Sequence, residues 1–98
     1  MTIEQYKNDT KLTLAISGRL DTLSSPELDE LITNGLDNVT DLTLDFNGVD
    51  YISSAGLRVL LRAKKKMDTC GTMKLTGVSP MIMEIFEITG FNKILTVE

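Results

Sequence analysis

Two different spacings of apolar residues alternate along this chain of 98 residues, and their order restricts the fold more than any other feature. Apolar residues at every second position predict strands with one buried face, most clearly over residues 11–17 and 42–46. Weaker patterns predict further strands over residues 2–7, around Met73 and Leu75, and over residues 94–97. The turn-forming pair Asn8-Asp9 indicates that the first two strands form a hairpin.

Three other segments have apolar residues every three or four positions, which is the spacing of amphipathic helices. Two of them begin at Ser25-Pro26 and Ser79-Pro80, because serine suits a helix N-cap and proline suits the first turn. The third begins after the serine pair at residues 53–54. The side chains that we expect in the core include Leu14, Ile16, Leu44, Phe46, Leu60 and Ile85.

The predicted order of elements is β-β-α-β-α-β-α-β. Beyond the hairpin, strands alternate with helices, which predicts a mainly parallel sheet with right-handed crossovers. Small or polar residues occupy one face of the strands, so we expect the helices to cover mainly the other face. The fold class is therefore α/β: a small, mainly parallel β-sheet with an N-terminal β-hairpin and helices mainly on one face, in a single domain over residues 1–98.

Composition favours a binding or signalling module over an enzyme. The chain has no histidine, which removes the commonest general base and metal ligand, and it has no nucleotide-binding glycine motif, so we expect no catalysis, metal or cofactor. Its net charge of −4 disfavours nucleic acid as a partner. No apolar run is long enough for membrane insertion, no secretory signal is evident, and the single cysteine fits a reducing, cytoplasmic compartment.

The segment over residues 47–56 carries the sharpest functional signal. We expect it to form a loop between a strand and a helix, with Ser53 and Ser54 adjacent where the helix begins. One interpretation is structural, with one serine as the N-cap and the other filling space. The other is that a hydroxyl there accepts a phosphate, which would face free backbone N–H groups and the positive end of the helix dipole.

Residues 44–61, LDFNGVDYISSAGLRVLL, resemble the signature of STAS domains, particularly the anti-sigma factor antagonists. Residues 17–21, SGRLD, resemble the family's segment between the second strand and the first helix. Residues 71–91, GTMKLTGVSPMIMEIFEITGF, resemble its C-terminal strand and helix. The similarity covers nearly the whole chain.

The resemblance implies a protein that binds an anti-sigma factor which is also a serine kinase. In the family, the unphosphorylated antagonist sequesters that kinase and frees the sigma factor. Phosphorylation of a loop serine breaks the complex, and a serine phosphatase restores it. The match of residues 54–57, Ser-Ala-Gly-Leu, to the family's Ser-x-Gly-Leu implies that Ser54 is the phosphoacceptor. Ser53 stands where the family often has aspartate and is the second choice.

The partner-binding residues that we expect are Asp21, Ser53, Ser54, Gly56, Arg58 and Arg62. Asp21 matches an acidic position of the family, although a turn or cap carboxylate is the alternative interpretation. Arg58 and Arg62 belong to a polar stripe of the second helix beside the serine pair, which is otherwise simply a solvated face. We expect the protein to be a monomer when free.

Two alternative functions remain at this stage. The chain would be a STAS interaction module that is never phosphorylated, in a transporter-associated or multiprotein signalling complex. Alternatively, it would be a small-molecule or nucleotide-binding protein, since a loop at a helix N-terminus can accept an anion.

Overall fold

The computed structural model describes residues 1–98 and consists of four strands and three helices. The strands are β1 (Thr2–Asn8), β2 (Lys11–Leu20), β3 (Asp41–Ile52) and β4 (Thr72–Thr76). The helices are α1 (Ser25–Asn34), α2 (Ser54–Asp68) and α3 (Pro80–Thr89), and a 3-10 turn follows at Phe91–Lys93. None of these helices has the length and apolar character that crossing a membrane requires.

The strands form one sheet in the order β1-β2-β3-β4. The β1–β2 pair is an antiparallel hairpin, whereas β3 pairs in parallel with both β2 and β4. Buried side chains alternate with half-buried or exposed ones along β2, along the first half of β3 and along β4, so only one face of the sheet is packed. The predicted α/β class, with a mainly parallel sheet and an N-terminal hairpin, is confirmed.

The core is a single cluster of 23 buried apolar residues contributed by the sheet and all three helices. Five of the six side chains predicted to lie in the core are buried, including Leu44 and Leu60 with no exposed surface. Ile85 is the exception and is half-buried at the margin of the cluster. The reason is that α3 directs Ile82 and Phe86 into the core, which leaves Ile85 on the flank of the helix.

Strand β3 is longer than predicted and replaces most of the expected loop at residues 47–56. The sequence misleads here because regular alternation stops at Phe46, after which the buried residues are Val49 and Ile52, three positions apart. The β2–β3 pairing continues across two register shifts, which turn the side chains without ending the strand. A β-carbon at Gly48 would lie 2.5 Å from the Cβ of Ser17, so the close approach of the two strands depends on this glycine.

The strand predicted over residues 94–97 is reduced to one isolated bridge between Leu75 and Val97. Leu75 donates from its N–H to Thr96 and accepts from the N–H of Glu98, at 2.9 and 2.8 Å. The backbone is still helical at Ile94, directly after the 3-10 turn, so too few extended residues remain for a strand.

Candidate functional site

The carboxyl ends of β2 and β3 meet at the paired residues Leu20 and Ile52. The next residue of each strand starts a connection, Asp21 leading to α1 and Ser53 leading to α2. The N–H of Ser53 donates to the carbonyl oxygen of Leu20 at 2.9 Å and fastens the second connection to the first strand. We call the surface formed by residues 21–23 and 53–55 the serine edge.

The two serines of this edge differ in what their hydroxyl groups do. Ser53 has extended backbone geometry, is half-buried, and its Oγ accepts a hydrogen bond of 3.4 Å from the N–H of Gly56. Its carbonyl oxygen also accepts from the N–H of Leu57, so Ser53 is the N-cap of α2. Ser54 is the first residue of the helix, is exposed, and its hydroxyl makes no hydrogen bond within the chain.

Gly56 has no side chain and is buried, so it offers no exposed surface to a partner. A β-carbon at this position would lie 2.9 Å from each of three atoms of Ile52 and Leu20. The absence of a side chain therefore allows the first turn of α2 to rest on the ends of the two strands. This role positions Ser54 and does not place Gly56 among the surface residues of the edge.

The carboxylate of Asp21 shapes the connection between β2 and α1. Its Oδ1 accepts hydrogen bonds from the N–H of Leu23 at 3.0 Å and from the N–H of Ser24 at 3.1 Å. The Ser24 hydroxyl also donates to this oxygen at 3.1 Å. The hydrogen bond from the Ser24 backbone is the main cause that lowers the pKa of Asp21 from its usual value, because it favours the ionised carboxylate. These contacts are those of a turn carboxylate, which was the alternative interpretation of Asp21.

An arginine for which the sequence predicted no role lies at the same end of the sheet. The guanidinium of Arg19 stacks over the ring of Tyr51, 4.0 Å from its centroid, and its Nε is 3.5 Å from Oδ2 of Asp21. Arg19 and Tyr51 are partners in the β2–β3 register. That register includes two irregular shifts, so periodicity alone gives no signal for this contact.

The predicted basic stripe of α2 is divided by its contacts with α1. The Nε of Arg62 donates to Oδ1 of Asp29 at 2.9 Å. One turn later, the ammonium of Lys66 donates to the carbonyl oxygen of Thr33 at 2.7 Å, at the end of α1. These two side chains join the helices. Arg58, by contrast, is exposed and has no ion pair, and it lines a shallow cleft of about 180 Å³ between the two helices.

Two large apolar side chains are exposed on the connections at this end of the sheet. Leu23 is 91% exposed on the turn held by Asp21, and Met81 is 53% exposed in the first turn of α3, which follows the carboxyl end of β4. Met81 has a sequence signal, because methionines near a helix start suit adaptable contacts. Leu23 has none, because a single leucine in a short connection does not show whether it points inward.

The comparison with protein families agrees with this arrangement over the whole chain. The family model of the STAS domain matches residues 1–98. The chain belongs to the STAS domain family.

This STAS domain is similar to BtrV of Bordetella bronchiseptica, which carries the name of an anti-sigma factor antagonist. The two are 34% identical over 99 residues, which cover 99% of this chain and 85% of the relative.

Two solved structures share the fold. One is an anti-sigma factor antagonist from Mycobacterium paratuberculosis, with a TM-score of 0.87 and 22% identity over 98% of this chain and 83% of the other. The second is the Bacillus cell fate determinant SpoIIAA in its phosphorylated form, with a TM-score of 0.77 and 16% identity over 99% and 91% of the two chains.

Proposed function

We propose that this protein is a cytoplasmic anti-sigma factor antagonist that binds an anti-sigma factor with serine kinase activity while it is unphosphorylated. Phosphorylation of Ser54 releases it, and a serine phosphatase returns it to the binding form. The protein is a regulator and substrate of these enzymes and has no catalytic activity of its own. Membership of the STAS family and the name of the relative from Bordetella bronchiseptica support this proposal.

The observation that carries the choice of residue is the difference between the two serine hydroxyl groups. Ser54 presents an exposed hydroxyl that makes no hydrogen bond within the chain, so a kinase can approach it without disturbing the helix. The hydroxyl of Ser53 is engaged as the N-cap. Transfer of phosphate to Ser53 would place a bulky charged group on the oxygen that accepts this hydrogen bond, in a position that is half-buried.

The effect of a phosphate on Ser54 follows from its position at the start of α2. The group adds about −1.5 to −2 charge at neutral pH, and the positive end of a helix dipole favours such a charge by about 0.3–1 kcal/mol. The isolated fold therefore survives phosphorylation. At an interface shaped for a neutral hydroxyl, the same charge must lose water without a partner, which costs several kcal/mol. A penalty of about 3–4 kcal/mol weakens binding by roughly a few hundredfold.

The exposed side chains around Ser54 supply the rest of the binding surface. Leu23 offers apolar area at the serine edge, and Arg58 lies one helical turn beyond Ser54 without an acidic partner in the chain. An exposed arginine at the edge of an interface mainly accelerates the encounter with an acidic patch and makes it sensitive to salt.

The test is mass spectrometry of the intact protein from its own cells, followed by fragmentation. We expect a species heavier by about 80 Da, the mass of one phosphoryl group, with the modification on Ser54. The Ser54→Ala variant should lack this species, whereas the matched Ser53→Ala variant should retain it and lose about 0.5–2 kcal/mol of stability with its N-cap. Phosphate on Ser53 in the wild type would overturn the choice of residue.

A second measurement tests the switch separately. The anti-sigma factor that copurifies with the wild-type protein should bind Ser54→Ala as well as wild type and should bind Ser54→Asp poorly. Both variants should melt near the wild-type temperature, because Ser54 makes no internal contact through its hydroxyl. The absence of phosphorylation, together with wild-type binding by the Ser54→Asp variant, would contradict the switch. The protein would then be the interaction module of a transporter-associated or other signalling complex.

A further inference from the structure

Strand β1 forms one edge of the sheet and leaves one side of its backbone without a partner. It is seven residues long and almost entirely exposed, with Ile3 its one half-buried side chain. An edge strand with free N–H and C=O groups is a template for another strand unless its side chains prevent pairing. The side chains of this strand favour one particular partner.

A cleft of about 480 Å³ separates β1 from α1. Ile3 and Gln5 form its floor on the strand side, and Glu27, Glu30 and Leu31 line the helix side. Neither glutamate takes part in an ion pair within the chain. A strand added to β1 would therefore place alternate side chains between the floor formed by Ile3 and Gln5 and two unpaired carboxylates, which suits a basic side chain.

Lys7 of the same strand is a cation with the orientation that this cleft requires. It pairs with Leu12 in the hairpin, as Ile3 pairs with Ile16, so both side chains project from the helix-covered face of the sheet. Lys7 is exposed and makes no ion pair within its own chain. It is too far along the strand to lie beside Ile3 of the same molecule, but it can do so in a second molecule.

We propose that β1 pairs antiparallel with β1 of a second copy of this chain and joins two sheets into one of eight strands. A two-fold axis perpendicular to the sheet and passing through Gln5 keeps the helices of both copies on the same side. This register pairs every residue of the strand: Thr2 with Asn8, Ile3 with Lys7, Glu4 with Tyr6, and Gln5 with Gln5.

The side chains select this register over its neighbours. Lys7 of each copy lies opposite Ile3 of the other and reaches the cleft that contains Glu27 and Glu30. A shift of one strand by two residues in one direction would place the two Glu4 side chains opposite each other. Like charges directly opposite are destabilising. A shift in the other direction leaves part of the strand unpaired. Charges that normally discourage edge pairing are thus complementary in this one arrangement.

The interface is small, so the association is weak and depends on concentration. Contacts below ~1,200 Å² are typical of transient complexes, and we expect a dissociation constant on the order of ~100 µM. The monomer that we expect for the free protein is then the form present in dilute solution. Because the two sheets run in opposite directions, the two serine edges lie at opposite ends of the dimer and both stay accessible.

Sedimentation velocity of the purified chain from ~10 µM to ~1 mM tests the proposal. Wild type should shift from monomer to dimer, and Lys7→Glu should weaken the association at least ~10-fold. The matched control is Lys11→Glu, an exposed lysine of the adjacent strand β2, which should associate as wild type does. Combining Lys7→Glu with Glu27→Lys and Glu30→Lys should restore much of the association, because the charges are exchanged.

Hydrogen exchange, measured by NMR at a low and at a high protein concentration, locates the contact. The outward-facing amides of β1 should exchange more slowly at the higher concentration, and the amides of the edge strand β4 should not change. A protein that stays monomeric at the highest concentration overturns the proposal. So does a dimer that is equally sensitive to the substitutions at Lys7 and Lys11, or one whose new protection lies on β4.

Discussion

The Cα of Gly56 packs so closely against Leu20 that a β-carbon on the glycine would lie 2.9 Å from both the Cγ and the carbonyl oxygen of Leu20. Backbone atoms at the end of β2 cannot move away without disturbing the 2.9 Å hydrogen bond that Leu20 accepts from Ser53. The start of α2 is therefore tied to the sheet by a steric fit together with a hydrogen bond.

We expect Gly56→Ala to destabilise the protein by about 1–3 kcal/mol, the usual cost of adding a methyl group to a closely packed site. Urea denaturation measures this change. The control is Gly90→Asn, at a position where a β-carbon would meet nothing within 4 Å and where asparagine tolerates the positive φ of 82°. Its effect should stay well below that of Gly56→Ala. Equal stability of Gly56→Ala and wild type would show that the helix can shift away from the strands.

Leu44 lies in the centre of the packed face and has no exposed surface. Its truncation to alanine should lower the free energy of unfolding by about 2–5 kcal/mol, through lost burial and the cavity left behind. Thr43→Ala changes the neighbouring residue on the open face of the same strand and should have a much smaller effect. Thermal or urea unfolding distinguishes the two, and a loss under about 0.5 kcal/mol for Leu44→Ala would contradict the packing described above.

The lowered pKa of Asp21 makes its contribution to stability depend on pH. A carboxyl group whose pKa is lower in the folded state stabilises the fold above its unfolded-state pKa, near 3.8. This contribution is lost as the pH falls through the folded-state pKa. Wild type should therefore lose its stability advantage over Asp21→Asn as the pH falls below about 4. Urea denaturation at a series of pH values measures the difference.

The control for that series is Asp37→Asn, which removes one carboxylate from an exposed position outside the Asp21 turn. A pH trend that is the same for both variants would come from the loss of one negative charge and would have no connection with the Asp21 turn. Parallel curves for wild type and Asp21→Asn would mean that the hydrogen bonds from Leu23 and Ser24 do not distinguish the two states of the carboxyl group.

The different contacts of Arg58 and Arg62 predict different effects of reversing their charges. Arg62→Glu breaks the ion pair with Asp29 and places two negative charges together, so it should cost up to about 1 kcal/mol of stability. Arg58→Glu should leave stability within about 0.5 kcal/mol of wild type. In binding to an anti-sigma factor at low salt, Arg58→Glu should reduce the association rate more than Arg62→Glu. The reverse order would place the contact with the partner further along α2.

Sequence periodicity predicted the elements that pack by a regular rule. The alternation around Leu14 and Leu44 and the helical spacing around Leu60 each follow from one buried face, and the structure buries all three residues. The second half of β3 does not follow such a rule. Its register with β2 shifts twice, so the buried residues after Phe46 are three apart and local alternation disappears although the strand continues.

The candidate site shows the same division between local and long-range information. The family motif placed Ser54 at a helix start, which is a local property, and the structure has α2 begin there. The roles of Gly56 and Arg62 depend on which distant residues they meet, Leu20 for the first and Asp29 for the second. Residue type alone does not show those contacts, so the sequence predicted neither the close packing of Gly56 nor the ion pair of Arg62.

The helices that start at this end of the sheet are held by groups within the chain, and the exposed side chains beside them take no part in holding them. The hydroxyl of Ser53 caps α2 and that of Ser79 caps α3 from within the chain, so neither helix depends on the exposed side chains beside it. Met81 can therefore change without altering the frame. The same holds for Leu23, because Asp21 holds its turn through the backbone N–H groups of Leu23 and Ser24. Substitutions at these two positions would change the surface that this end of the sheet offers to a partner, while the chain continues to fold in the same way.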